Sequence, residues 1–181
     1  MKRHREFQIA WLGLKEGISE FEFDLNDQIL DDLGYELEDI KGLDVTINLK
    51  FDKHSSFFIL DFDVNGVVQV PCDRCGDDFE LKLWDEFNLI VKLTESEEEA
   101  ERQNESEDPD VVFVSRTESV INVFEWIYDF VMLSIPFQHV HPDNENGEST
   151  CNPEALKLLE QLRAPENKTN PIWDQLKNIN K

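Results

Sequence analysis

The chain has 181 residues, and its 40 acidic against 17 basic side chains give a formal charge of -23, a field that repels phosphate backbones and anionic lipids at long range. Hydrophobic residues make up 40%, with 13 Phe and 4 Trp, enough bulky apolar material to offset the entropy of ordering one principal domain, so wholesale disorder is excluded. No run reaches the roughly twenty apolar residues that span a bilayer, and the basic start, residues 1–5, is not followed by an apolar signal-peptide core, so the cytosol is expected.

The first segments, 7–14 and 21–25, are short apolar runs of poor periodicity that suit added strands, and 27–33 suits a short helix or turn. From Val45 the pattern sharpens. Val45, Ile47, Leu49 and Phe51 are apolar while Thr46, Asn48 and Lys50 are polar, the period of a half-buried strand. Residues 57–64 and 67–70 are apolar, β-branched and aromatic runs separated by Asn65-Gly66, the dipeptide that best tolerates positive φ in a two-residue turn, so a hairpin is expected. Phe79, Leu81, Leu83, Phe87, Leu89, Val91 and Leu93 keep one parity, with Asp85 marking a bulge or bend. Sequential hairpins then give an antiparallel meander or barrel-like sheet.

Residues 95–110 hold nine carboxylates, a single basic residue, Arg102, and no bulky apolar residue. Such a segment reads as a solvated, acidic, mobile loop, or a tether for a basic partner. Residues 111–114 resume the sheet. Asn122 followed by Glu125 fits a helix cap with its reciprocating carboxylate, and Val123, Ile127 and Val131 with Phe124, Tyr128, Met132 and Ile135 follow helical spacing, which predicts a buried helix over 123–134 ended by Pro136. Asn152-Pro153 and Asn170-Pro171 each place a cap residue before a proline at the first helical position, predicting two short C-terminal helices joined by a polar hinge over 164–169. Leu156, Leu159 and Leu162 stripe the first, and Ile172, Trp173 and Leu176 the second. The expected architecture is α+β, an antiparallel β meander or barrel-like sheet packed against one buried helix. The principal domain spans 1–150 with its acidic loop 95–110, and a helical tail spans 151–181.

Chemistry concentrates at Cys72-Asp73-Arg74-Cys75-Gly76. Between two strands this is the setting of a zinc knuckle, where glycine permits a turn that aims amides at thiolates. A closed site needs four ligands, and the remaining candidates are His141 and Cys151, with His139 as a substitute for His141. Inert buried thiols are the alternative. A redox role is disfavoured because the residues after the cysteines alternate like a strand and do not open a helix. His54, Ser55 and Ser56 are adjacent, but no glycine-rich elbow presents them as a nucleophile, and the seven glycines form no phosphate-binding loop.

Three stretches together resemble one family. Val70-Pro71-Cys72-Asp73-Arg74-Cys75, then Asn122-Val123-Phe124-Glu125-Trp126 leading into Leu133-Ser134-Ile135-Pro136, then Asn170-Pro171-Ile172-Trp173-Asp174-Gln175-Leu176-Lys177 occur in the order of the YceD family. The resemblance covers roughly 45–177. It implies a bacterial factor for synthesis, processing or stability of large-subunit ribosomal RNA, with no known catalytic residues. Many members carry further cysteines after the helix where this chain has Cys151 alone, and Ile172 stands where an arginine is frequent. The resemblance and the charge lead to a non-enzymatic protein that binds a basic ribosomal protein or a precursor particle, its RNA contact local or indirect. The competing readings are an acidic decoy of a nucleic-acid-binding protein, and a metal-dependent or redox enzyme.

Overall fold

The computed structural model describes residues 5–35, 37, 40–105, 108 and 110–163. Among these residues seven strands fall into two sheets. β1 (Gln8–Ile9) and β7 (Ile121–Asn122) form a short antiparallel pair. The larger, open sheet has the order β2 (Gly17–Asn26), β3 (Lys41–Lys53), β4 (Phe57–Pro71), β5 (Asp78–Thr94) and β6 (Val111–Ser115). The chain divides into two units, residues 1–70 with 79–137 and residues 71–78 with 138–181. Among the described residues no helix is long and apolar enough to cross a membrane.

The alternation over 45–51 does form a strand: Val45, Ile47, Leu49 and Phe51 are buried on one face of β3. Opposite them, in antiparallel register, Phe62 faces Leu49 and Phe23 faces Ile47. The first unit's core closes with α3 (Phe124–Leu133), whose Phe124, Ile127 and Val131 are buried and whose Phe130 ring stacks on Phe87 and tilts against Phe62. The Asn122 side chain accepts the Phe124 amide at 3.1 Å, so the expected cap is present, one residue ahead of the helix's own boundary residue. The expected helix over 27–33 is α1 (Asp27–Leu33), capped by the Asn26 side chain on the Ile29 amide.

The hairpin expected at Asn65-Gly66 is not formed. Both residues lie inside the single fifteen-residue strand β4, with Gly66 paired to Val45. The glycine answers a close approach and not a positive φ, since a Cβ there would meet the Val45 Cα at 2.6 Å. The neighbouring register shift sits on β3 between Lys41 and Asp44, where Gly42 takes φ +60°. There the Asp27 carboxylate accepts both the Gly42 and Leu43 amides, at 2.7 and 2.9 Å, and pins the bulge.

The acidic segment 95–110 is not a plain loop either. Residues 97–104 form α2 (Glu97–Asn104). The Ser96 side chain accepts the Glu99 amide at 3.3 Å, three glutamates occupy the first turn and Arg102 the last, an arrangement that complements the helix dipole at both ends. Ala100, 6% exposed, is the small anchor that carbon counting overlooks. Because a helix crosses over, β6 runs parallel to β5, so the meander is not antiparallel throughout.

α2 also seals the sheet edge. The Asn104 side chain donates to the Phe113 carbonyl at 2.8 Å and accepts the Phe113 amide at 2.7 Å, standing in for a residue of a further strand. We expect Asn104→Ala to cost about 1–2 kcal/mol in urea unfolding and to raise the aggregation rate of the folded protein. Unchanged stability and solubility would show that the edge needs no seal.

α4 (Pro153–Arg163) starts as expected, with the Asn152 side chain accepting the Glu154 amide at 3.0 Å. Its stripe holds only in part: Leu156 and Leu159 are half-buried, whereas Leu162 is exposed. The hinge over 164–169 and the helix expected after Asn170 lie outside the described residues.

Candidate metal centre

The second unit collects the cysteines. Cys72 follows β4 directly, and a tight turn returns the chain to β5: the Gly76 amide donates to the Cys72 carbonyl at 2.8 Å, the Cys72 amide to the Asp77 carbonyl at 3.0 Å, and Gly76 takes φ +79°. That left-handed conformation is the one glycine adopts without strain. The second loop is built the same way. Asp143 bridges Ser149, Gly147 takes φ +76°, and the Asn144 side chain accepts the Asn146 and Glu148 amides, so His141 and Cys151 stand at the two ends of a closed turn.

These two loops bring one ligand atom each from Cys72, Cys75, His141 and Cys151 to within 4.8 Å of one another. The Cys72 and Cys151 Sγ atoms are 3.8 Å apart, and the Cys75 Sγ lies 3.4 Å from the His141 Nδ1. A tetrahedron with Zn–S of ~2.3 Å and Zn–N of ~2.0–2.1 Å has S–S edges of about 3.8 Å and S–N edges of about 3.6 Å. The spacing therefore fits a four-coordinate ion and is far too long for a disulfide; all three cysteines are free thiols. Cys72 and Cys151 are buried, 2% and 4% exposed, yet neither belongs to the hydrophobic core cluster.

The electrostatics point the same way. Burial pushes the Cys72 thiol up, but amides of His141, Arg74 and Cys75 and the His141 side chain outweigh it and bring the pKa down to about 6. The Arg74 amide lies 3.4 Å from that sulfur. Cys75 is also drawn down by the Asn152 and Asp77 amides, but burial and the adjacent Cys72 leave it raised. A cation among the four ligand atoms would relieve the repulsion that keeps the two thiols from ionising together.

His139 stands outside the set. Its Nδ1 lies 3.2 Å from the Pro71 carbonyl, and its backbone joins the loops, donating its amide to Asp73 at 2.8 Å and accepting the Asp73 amide at 2.8 Å. The residues that lash the loops together were not visible in the sequence. Arg74 donates to the Ser149 hydroxyl at 3.2 Å, and the Asn152 side chain, while capping α4, also donates to Asp77 at 3.0 Å. Each pair is 75 residues apart, and no local spacing announces them. In the first unit, His54, Ser55 and Ser56 form the β3–β4 turn, closed by the His54 amide on the Phe57 carbonyl. The His54 ring leans on Asp52 and stacks on Phe57.

Fold and site together define an acidic α+β protein with a three-cysteine, one-histidine knuckle outside its main hydrophobic core. The family model for the large ribosomal RNA subunit accumulation protein YceD matches residues 60–180, which take in most of β4, the cysteine knuckle, β5 and the described elements that follow it. The chain belongs to the YceD family. No curated protein and no solved structure matches it. Its role accordingly lies in the accumulation of large-subunit ribosomal RNA.

Proposed function

We propose that the protein acts in the cytoplasm without catalysis, by binding a basic ribosomal protein or a precursor particle that displays one, and that Cys72, Cys75, His141 and Cys151 hold a structural zinc ion. The observation that carries the partner is the charge of -23 in a chain of this family. Such a chain releases no counterions from bare RNA, the effect that drives most non-specific protein binding to nucleic acid. Ribosomal proteins must neutralise RNA and are generally basic, so acidic faces steer them. For the metal, four protein ligands leave no position for water or substrate, which favours a structural role over chemistry.

The test is direct binding to purified large-subunit proteins and, separately, to naked large-subunit RNA. We expect the protein complexes to weaken tenfold or more as salt rises from low to above physiological strength, because screening shortens the field to about 8 Å. Equal or tighter binding of naked RNA at physiological salt would overturn the assignment.

A further inference from the structure

We propose that the solvent-facing side of the five-stranded sheet is a docking trough for a lysine- and arginine-rich segment of a partner protein. This rests on the basic-partner reading above and names the surface that serves it. Strand alternation sends Phe23, Leu49 and Phe62 into the core and leaves their neighbours on the other face. In register there, Glu20 faces Lys50, which faces Asp61, while Glu22 faces Asn48, which faces Asp63. Of these, Glu20, Asn48, Lys50, Asp61 and Asp63, with Glu86 and Asn88 of β5, line a concave trough of about 690 Å³. Its lining carries the carboxylates Glu20, Asp61, Asp63 and Glu86 against one cation, Lys50.

Two of the four carboxylates are held in place by neutral side chains. Asn88 donates to Asp61 at 2.5 Å and Asn65 to Asp63 at 2.6 Å, so neutral amides fix these two carboxylates. Among the described residues none of the four makes an ion pair. From β2 to β5 the face spans three strand spacings, about 14 Å, which admits one helix of about 10–12 Å diameter or one extended chain. Two positions along β5 from Glu86, on the same face, Trp84 is 74% exposed. An exposed indole contributes nothing to the fold's core but offers its ring to an arginine or lysine. RNA is the wrong occupant, since its phosphates would meet fixed carboxylates.

Two full-length variants of equal charge separate the trough from the general field: Glu20→Gln, Asp61→Asn, Asp63→Asn and Glu86→Gln together, and Glu97→Gln, Glu98→Gln, Glu99→Gln and Glu101→Gln together. Each removes four charges, from -23 to -19. The probe is a short fluorescein-labelled poly-lysine peptide at low salt, with carbodiimide coupling to locate it and circular dichroism to verify folding. We expect the trough variant to bind about tenfold more weakly, the helix variant within about twofold of wild type, and Trp84→Ala about threefold more weakly. Coupling should fall on Glu20, Asp61, Asp63 and Glu86. Equal weakening of both charge variants, or coupling confined to α2, overturns the trough and leaves the basic partner standing. Wild-type protein that ignores the peptide and binds labelled RNA overturns both.

Discussion

Replacing Cys151 with serine is expected to abolish zinc binding and to unfold the second unit under conditions where the wild-type chain is folded. All four proposed ligands lie in residues 71–78 and 138–181, where, among the described residues, Cys72 and Cys151 alone are buried. For such a unit the binding energy of the ion is folding energy, about 10–16 kcal/mol for structural zinc at neutral pH, and loss of one of four ligands forfeits several kcal/mol of it. Purified wild-type protein should carry one equivalent of zinc by elemental mass spectrometry, and phenanthroline should lower its melting temperature. His141→Ala should behave like Cys151→Ser. His139→Ala should keep its zinc, because that ring faces the Pro71 carbonyl and not the sulfurs. A metal-free wild-type protein whose melting temperature ignores chelation would return the cysteines to inert thiols.

Gly66→Val is expected to destabilise the first unit by about 3 kcal/mol or more. Gly66 sits mid-strand against β3, and its missing Cβ would lie 2.6 Å from the Val45 Cα and 2.8 Å from the Val45 Cγ2. The obstacle is backbone, which cannot rotate away, so the strands must part and the buried Val45 and Val64 with them. Gly66→Asn discriminates the two ways of reading the dipeptide. In a two-residue turn asparagine adopts the left-handed conformation readily, whereas in this strand it clashes like any other side chain. We therefore expect denaturant unfolding to show Gly66→Asn nearly as damaging as Gly66→Val. Stability within about 0.5 kcal/mol of wild type would mean that residues 65–66 form the turn after all.

Both Gly66 and the acidic segment show where local pattern stops. Asn65-Gly66 carries a strong turn signal, but the burial available to one long strand between β3 and β5 outweighs a local preference worth little in free energy. The acidic run lacks bulky apolar residues, yet Ser96 followed by Glu99 is a capping pair, and one alanine is enough contact for a two-turn helix on a sheet edge. Its presence decides the direction of β6. Leu162 shows the converse: periodicity marks an apolar face and supplies no partner for it.

Alternation and helical spacing by themselves determined β3, the continuation through β5, α3 and the start of α4, because burial of one face imposes a period of 2 or 3.6 on the residues that line it. Composition alone determined the charge and, with it, the kind of partner we propose. Cys72, Cys75, His141 and Cys151 were legible as ligand types. Only tertiary structure decided that His141 and not His139 completes the set, that Asn152 and Asp77 meet, and that Glu20, Asp61, Asp63 and Glu86 share one trough. Those groups are separated by tens of residues, and the distance between such atoms is fixed by strand register and loop closure, which no local sequence interval encodes.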